Sequence, residues 1–230
     1  MGENDASAAD TGHDPAARIH RWISLIIVTI IGIDFVFVVV EGQWLSAALI
    51  LIIAGILLAP ALFGDRVSVT VPYEFQLVIL LFVFAALFLG EVRSYYDRFW
   101  WWDIVLHTAS GFLLGIFGFL LVYVLNENRR VELSMRPRFV ALFAFLFAVA
   151  AGALWEIFEF TMDQVFDTNM QKPMLGDPSG LTDTMWDLVV DMLGAAAISL
   201  LGWSAMQGRR RSFIGAWIAK FIARNPRLFH

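Results

Sequence analysis

Thr182-Asp183-Thr184-Met185-Trp186-Asp187-Leu188-Val189-Val190-Asp191-Met192-Leu193-Gly194 opens an apolar stretch that runs on to Met206 without another charge. Such a run far exceeds a strand, and about 20 apolar residues rising 1.5 Å each cross a hydrocarbon core of about 30 Å as a helix. On a helix, side chains four residues apart share a face. Asp183, Asp187 and Asp191 therefore form one acidic face on an otherwise apolar rod. Two further apolar stretches carry the same signature, Asp103 with His107 and Glu156 with Glu159. Ionisable groups inside membrane helices are costly and turn toward a partner, a cavity or a substrate path.

Composition agrees with a membrane chain. Apolar residues make up 59% and charged residues 16%, against about half and about a quarter in soluble domains. The chain has no cysteine, which excludes disulfides, thiolate metal sites and cysteine nucleophiles. Nothing in it marks a nucleic-acid partner, so membrane lipids are the expected surroundings. Residues 1–17 are polar and acidic, lack the basic-then-apolar order of a signal peptide, and read as a disordered cytoplasmic tail.

Six segments have spanning length: 22–40, 45–63, 73–89, 101–125, 139–161 and 184–206. Gly42, Gly64 with Asp65 and Arg66, Pro72 and Pro137 punctuate the connections. With the N-terminus in the cytoplasm, 13 of the 16 basic residues fall inside, leaving Arg93, Arg98 and Lys172 outside. The expected fold is all-α: a polytopic six-helix transmembrane domain over 18–207 in a bacterial inner membrane, with both termini cytoplasmic. Residues 208–230 add a basic segment in which Phe213, Ile214, Trp217, Ile218, Phe221 and Ile222 share one helical face. That pattern suits an amphipathic helix on the anionic inner leaflet.

This topology gathers Asp103, His107, Glu156, Glu159, Asp183, Asp187 and Asp191 in the outer half of the bilayer, with Asp34 a further candidate. An ionised Asp at a helix centre costs roughly 2.5–3.5 kcal/mol on insertion scales. Protons held by the carboxyls, a bound cation or a water-filled cavity must offset that cost. His107, Glu156, Asp187 and Asp191 form an oxygen-rich set with one imidazole that suits a divalent cation such as Mg, Ca, Mn or Zn. Glu159 and Asp103 are the candidate general bases.

Each residue also has a purely structural reading. Asp183 fits a helix N-cap, Asp103 the favoured acid of a first turn, Asp163 an interfacial acid, and His107 a bundle histidine. Gly111 with Gly115, Gly118, Gly152 and Gly194 suit close helix packing. Trp44, Trp100, Trp101, Trp102, Trp155 and Trp186 suit an aromatic belt, Trp155 and Trp186 also a site mouth. The long connection 164–182 is a candidate lid.

Three patterns, Asp103-x-x-x-His107 with Gly111, Trp155-Glu156-x-x-Glu159, and Asp183-Thr184-x-Trp186-Asp187 with Asp191 and Gly194, carry a family resemblance. The chain resembles the YjdF-type family of uncharacterised bacterial multi-span membrane proteins and, more loosely, VanZ-type membrane proteins. Thr108 stands where the family pattern calls for an aromatic. The resemblance implies a membrane bundle and no particular reaction. Three functions remain open: an enzyme acting on a lipid or envelope precursor, a pH or cation sensor or scaffold, and a proton- or cation-coupled transporter.

Overall fold

The computed structural model describes residues 15–63, 70–127, 135–207 and 213–225. Among them the chain is helical, with α1 Pro15–Val40, α2 Trp44–Phe63 and α3 Tyr73–Val83, the last continuing as a π-helix over Phe84–Val92. There follow the single turn α4 Tyr95–Arg98, α5 Trp102–Glu127, α6 Pro137–Phe166, α7 Leu181–Met206 and α8 Phe213–Arg224. Five helices, α1, α3 with its π segment, α5, α6 and α7, are long and apolar enough to cross a membrane. α2 is apolar throughout, with a shorter run of Trp44–Pro60. A polytopic helical membrane protein is the result.

Helix ends follow local chemistry. α6 starts on Pro137, whose missing N–H costs nothing at a first helical position. It stops where Asp167 turns left-handed at φ 55°. Gly180, at φ 77°, swings the chain into α7. Pro15 likewise opens α1, so the expected tail is already helical at Pro15–Ala17; the rest of that tail lies outside the described residues. The third span runs past its expected end at residue 89 because the backbone widens to π geometry, with the Arg93 N–H donating to the Phe88 carbonyl at 3.0 Å.

The chain divides into two units, Met1–Tyr95 and Tyr96–His230. In the first, α1, α2 and α3 with its π segment pack around Ile27, Ile31, Ile50, Ile53, Leu80 and Phe88. In the second, α5, α6 and α7 pack mutually, and α8 rests on α7. At one end this three-helix core is hydrocarbon, built from Phe119, Val122, Val140, Ala141 and Ala144. Elsewhere it encloses carboxylates, while the outside carries exposed Leu146, Leu154, Ile157, Phe158 and Leu193. Apolar outside and polar inside is the arrangement lipid demands.

Glycine sets how closely these helices approach. A Cβ on Gly111 would strike the backbone of Asp191, and one on Gly194 the backbone of Thr108, so α5 and α7 meet main chain to main chain. By contrast, a Cβ on Gly32 of α1 meets nothing within 4 Å. Gly111→Ala and Gly194→Ala are each expected to cost about 1–3 kcal/mol by overpacking. Gly32→Ala should be neutral or gain about 0.5–1 kcal/mol from helix propensity. Loss of monodisperse protein on heating in detergent ranks the three, and equal heat sensitivity would refute the close α5–α7 approach.

Candidate functional site

α5 and α7 begin at the same end of the core at which α6 finishes, so three helices deliver their acids to one place. Asp103 and His107 come from the first two turns of α5, Glu156 and Glu159 from the second half of α6, and Asp183, Asp187 and Asp191 from successive turns of α7. His107 is the hub. Its Nδ1 lies 3.3 Å from Asp191 Oδ2 and 3.7 Å from Glu156 Oε1, while its Nε2 lies 3.5 Å from Asp103 Oδ1. Asp103, His107 and Asp187 form a trio that offers one ligand atom each within 4.8 Å of one another. His107, Glu156, Glu159, Asp183, Asp187 and Asp191 are buried, and Asp103 is partly exposed.

Hydrogen bonds divide these acids into two groups. Asp191 is occupied on both oxygens: Oδ1 accepts from the Ser110 hydroxyl at 2.5 Å, and Oδ2 faces His107 Nδ1. Glu159 accepts from Trp155 Nε1 at 2.8 Å. Asp183 accepts from the Lys172 N–H at 2.6 Å. Asp187 differs. It is 0% exposed, and neither carboxylate oxygen has a hydrogen-bond partner. Both Glu156 oxygens also lack one within bonding geometry; the nearest polar groups are His107 and the Thr184 hydroxyl, which accepts from Gln171 Nε2 at 2.7 Å. A buried carboxylate without a partner is the costliest polar group a fold can carry, so a native site supplies a proton, an ion or ordered water there.

The connection ahead of α7 is folded by carboxylates rather than left loose. Asp163 accepts from the Thr168 hydroxyl and the Met170 and Gln171 N–H groups at 2.6 to 2.9 Å. Asp177 accepts from the N–H and hydroxyl of both Ser179 and Thr182 at 2.7 to 3.0 Å. Asp183 holds Lys172, whose ammonium sits 5.8 Å from the Tyr96 ring centroid. Asp183 is thus no N-cap: Gly180 occupies the cap, and Asp183, three residues on, ties down the preceding loop. Asp163 likewise organises the loop rather than merely facing the interface.

The Ser179 hydroxyl, followed by the other three donors, holds the Asp177 carboxyl well below the usual carboxylate range. A depressed folded value means the loop's stabilisation is complete above the ordinary aspartate range near 4 and lost only as pH falls well below it. Hydrogen exchange of the peptide spanning residues 175–183, corrected for intrinsic rates, is expected to stay slow through pH 4. Asp177→Ala should accelerate it roughly tenfold or more at neutral pH. Deprotection of the wild type already at pH 5 would contradict this.

Residues 19–208 match the family described as "Predicted membrane protein (DUF2238)". The chain belongs to the DUF2238 family. An uncharacterised protein of Thermotoga maritima is 27% identical over 190 residues, which cover 81% of this chain and 92% of that one. No solved structure matches. Membership agrees with the resemblance to YjdF-type uncharacterised membrane proteins, and the match ends just before the basic C-terminal segment.

Within this DUF2238 chain the seven residues singled out from the sequence do converge. Asp34 lies in the first unit, paired with Arg93 at 3.0 Å beside a cavity of about 590 Å³. Ser110 is the polar residue sequence reasoning passed over. Its position three residues after His107, on the same face of α5, was the available signal. Gln171, which links the loop to Thr184 of α7, carries no comparable pattern.

Proposed function

We propose that this DUF2238 protein holds a divalent cation within its membrane domain, between Asp103, His107 and Asp187, with Glu156 alongside. The observation that carries this reading is Asp187: fully buried, both oxygens unpartnered, with ligand atoms of Asp103 and His107 within 4.8 Å. Carboxylates with one imidazole favour a hard or borderline ion such as Mn²⁺, Mg²⁺ or Zn²⁺. Asp191 adjoins the trio through His107 Nδ1.

The positive-inside distribution supports a bacterial inner-membrane protein with both termini cytoplasmic, the site near the outer surface and α8 on the inner leaflet. Burial ranks the functional alternatives. Asp103 is the most open acid of the set, and Glu159 is already committed to Trp155, so a lipid or envelope precursor reaching the ion would approach past Asp103. A small ion needs no such approach. Cation binding, used for sensing or for holding the bundle, is therefore the first reading, and cation-assisted catalysis with Asp103 or Glu159 as base requires an added opening. Proton holding is the second reading, favoured by the carboxylates that flank both nitrogens of His107.

Metal analysis of detergent-purified protein tests the proposal. Wild type should carry about one divalent metal per chain, His107→Ala and Asp187→Asn none, and Asp183→Asn close to the wild-type amount. A folded, metal-free wild type that takes up no Mn²⁺, Mg²⁺ or Zn²⁺ would sink the reading in favour of protons. The orientation has its own check, made simple by the absence of cysteine. Ser179→Cys should react with a membrane-impermeant maleimide in intact cells, and Gln207→Cys only after permeabilisation; the reverse pattern would overturn it.

A further inference from the structure

The seven-residue cluster mixes unpartnered acids with acids already bonded, and His107 Nδ1 meets one of each, Asp191 closer and the unpartnered Glu156 Oε1 at 3.7 Å. Nδ1 faces Asp191 Oδ2 at 3.3 Å. Asp191 is in turn fixed through Oδ1 by the Ser110 hydroxyl, which sits between that oxygen at 2.5 Å and the His107 carbonyl at 2.8 Å. A hydroxyl one turn along the same helix thus locks the carboxylate that locks the imidazole. Gly152 of α6 completes the cradle: a Cβ there would lie 2.5 Å from Asp191 Oδ2, so only a glycine leaves the carboxylate its place. Nε2 points the other way, to Asp103 at 3.5 Å.

Carboxylate–imidazole–metal chains are a recurring device. The outer carboxylate accepts the distal ring N–H, fixes the tautomer and raises the basicity of the ligating nitrogen. We infer that Asp191 is a positioning residue and not a ligand: with Ser110 and Gly152 it holds His107 as the Nδ1–H tautomer and presents Nε2 to a divalent cation shared with Asp103 and Asp187. The inference rests on the cation-binding reading and sharpens it by separating Asp191 from Asp187, two acids one turn apart on the same helix face. Asp187, with both oxygens unpartnered, is the direct ligand; Asp191, with both occupied, orients.

Zn²⁺ is the probe, titrated into metal-stripped, detergent-purified full-length protein against a chromophoric chelator, with His107→Ala as the background. Side-chain ¹⁵N NMR of histidine-labelled, Zn²⁺-loaded protein then assigns the ring nitrogens. Wild type should bind one Zn²⁺ with Nε2 ligated and Nδ1 protonated. Asp191→Asn should still bind one Zn²⁺ with a Kd raised about 10–100-fold, whereas Asp187→Asn should bind none above background. Ser110→Ala should weaken binding in the same direction, and Ser110→Thr, which keeps the hydroxyl, should restore it.

If Asp191→Asn does not elute as a folded monodisperse species, the Ser110 pair decides alone: unchanged affinity in Ser110→Ala overturns the inference. Loss of Zn²⁺ from folded Asp191→Asn as complete as from Asp187→Asn, or a zinc-ligated Nδ1, overturns the positioning role and leaves the cation site standing. Wild type that takes up no more Zn²⁺ than His107→Ala overturns both.

Discussion

Lipid cannot solvate charge, so a carboxylate enclosed by apolar helices must find its compensation inside the protein. Six acids share the space between α5, α6 and α7 with His107, and no lysine or arginine is paired with any of them among the described contacts. Much of the second unit follows from that constraint. Main-chain contact at Gly111 and Gly194 brings α5 and α7 close enough for short polar contacts across the core. Trp155 turns its indole N–H inward to Glu159 while its ring stays half-exposed on the apolar surface. Each device satisfies one carboxylate and leaves the outside hydrophobic.

Compensation is uneven, and the unevenness is the informative part. A site whose purpose was only to glue helices together would end with its polar groups mutually bonded, since an unmade buried hydrogen bond costs about 1–3 kcal/mol. Asp183, Asp191 and Glu159 meet that standard through Lys172, Ser110 and Trp155. Asp187 and Glu156 do not. Bonding within the protein therefore accounts for half of the acids, Asp191 alone across two helices, and leaves the most buried carboxylate of α7 beside a histidine and a second aspartate with nothing bonded to it.

The spans were legible in the sequence because length and hydropathy alone decide them, and the acidic faces were legible because a helix repeats every 3.6 residues. Hydrogen-bond commitment was not, since it depends on what the neighbouring helix offers. Asp187 and Asp191 have the same spacing, polarity and apolar neighbours in sequence, yet one is orphaned and the other is bonded by Ser110 and faces His107 Nδ1. The N-cap reading of Asp183 failed for a related reason: Gly180, in left-handed geometry, starts α7 three residues earlier and frees the carboxylate to reach back to Lys172. Asp34 was legible as an acid within the first span, but its ion pair with Arg93 was not, since 59 residues separate the two. The π segment of α3 has no periodic signature at all.

Asp183 also joins two parts of the molecule that the sequence presents as separate. It lies one helical turn from Asp187, on the same face of α7, and bonds the backbone of the 164–182 connection. Gln171, the neighbour of that backbone N–H, bonds Thr184, whose hydroxyl faces Glu156. The loop is therefore pinned to the very turn of α7 that leads into the site, by two adjacent residues. Asp163 and Asp177 brace it from the other side with seven hydrogen bonds to loop donors. Charge placed at Asp187 or Glu156 acts directly on the groups that hold this loop, over one turn of helix and without any large rearrangement. That proximity links the buried carboxylates of the core to the surface loop through two adjacent hydrogen bonds.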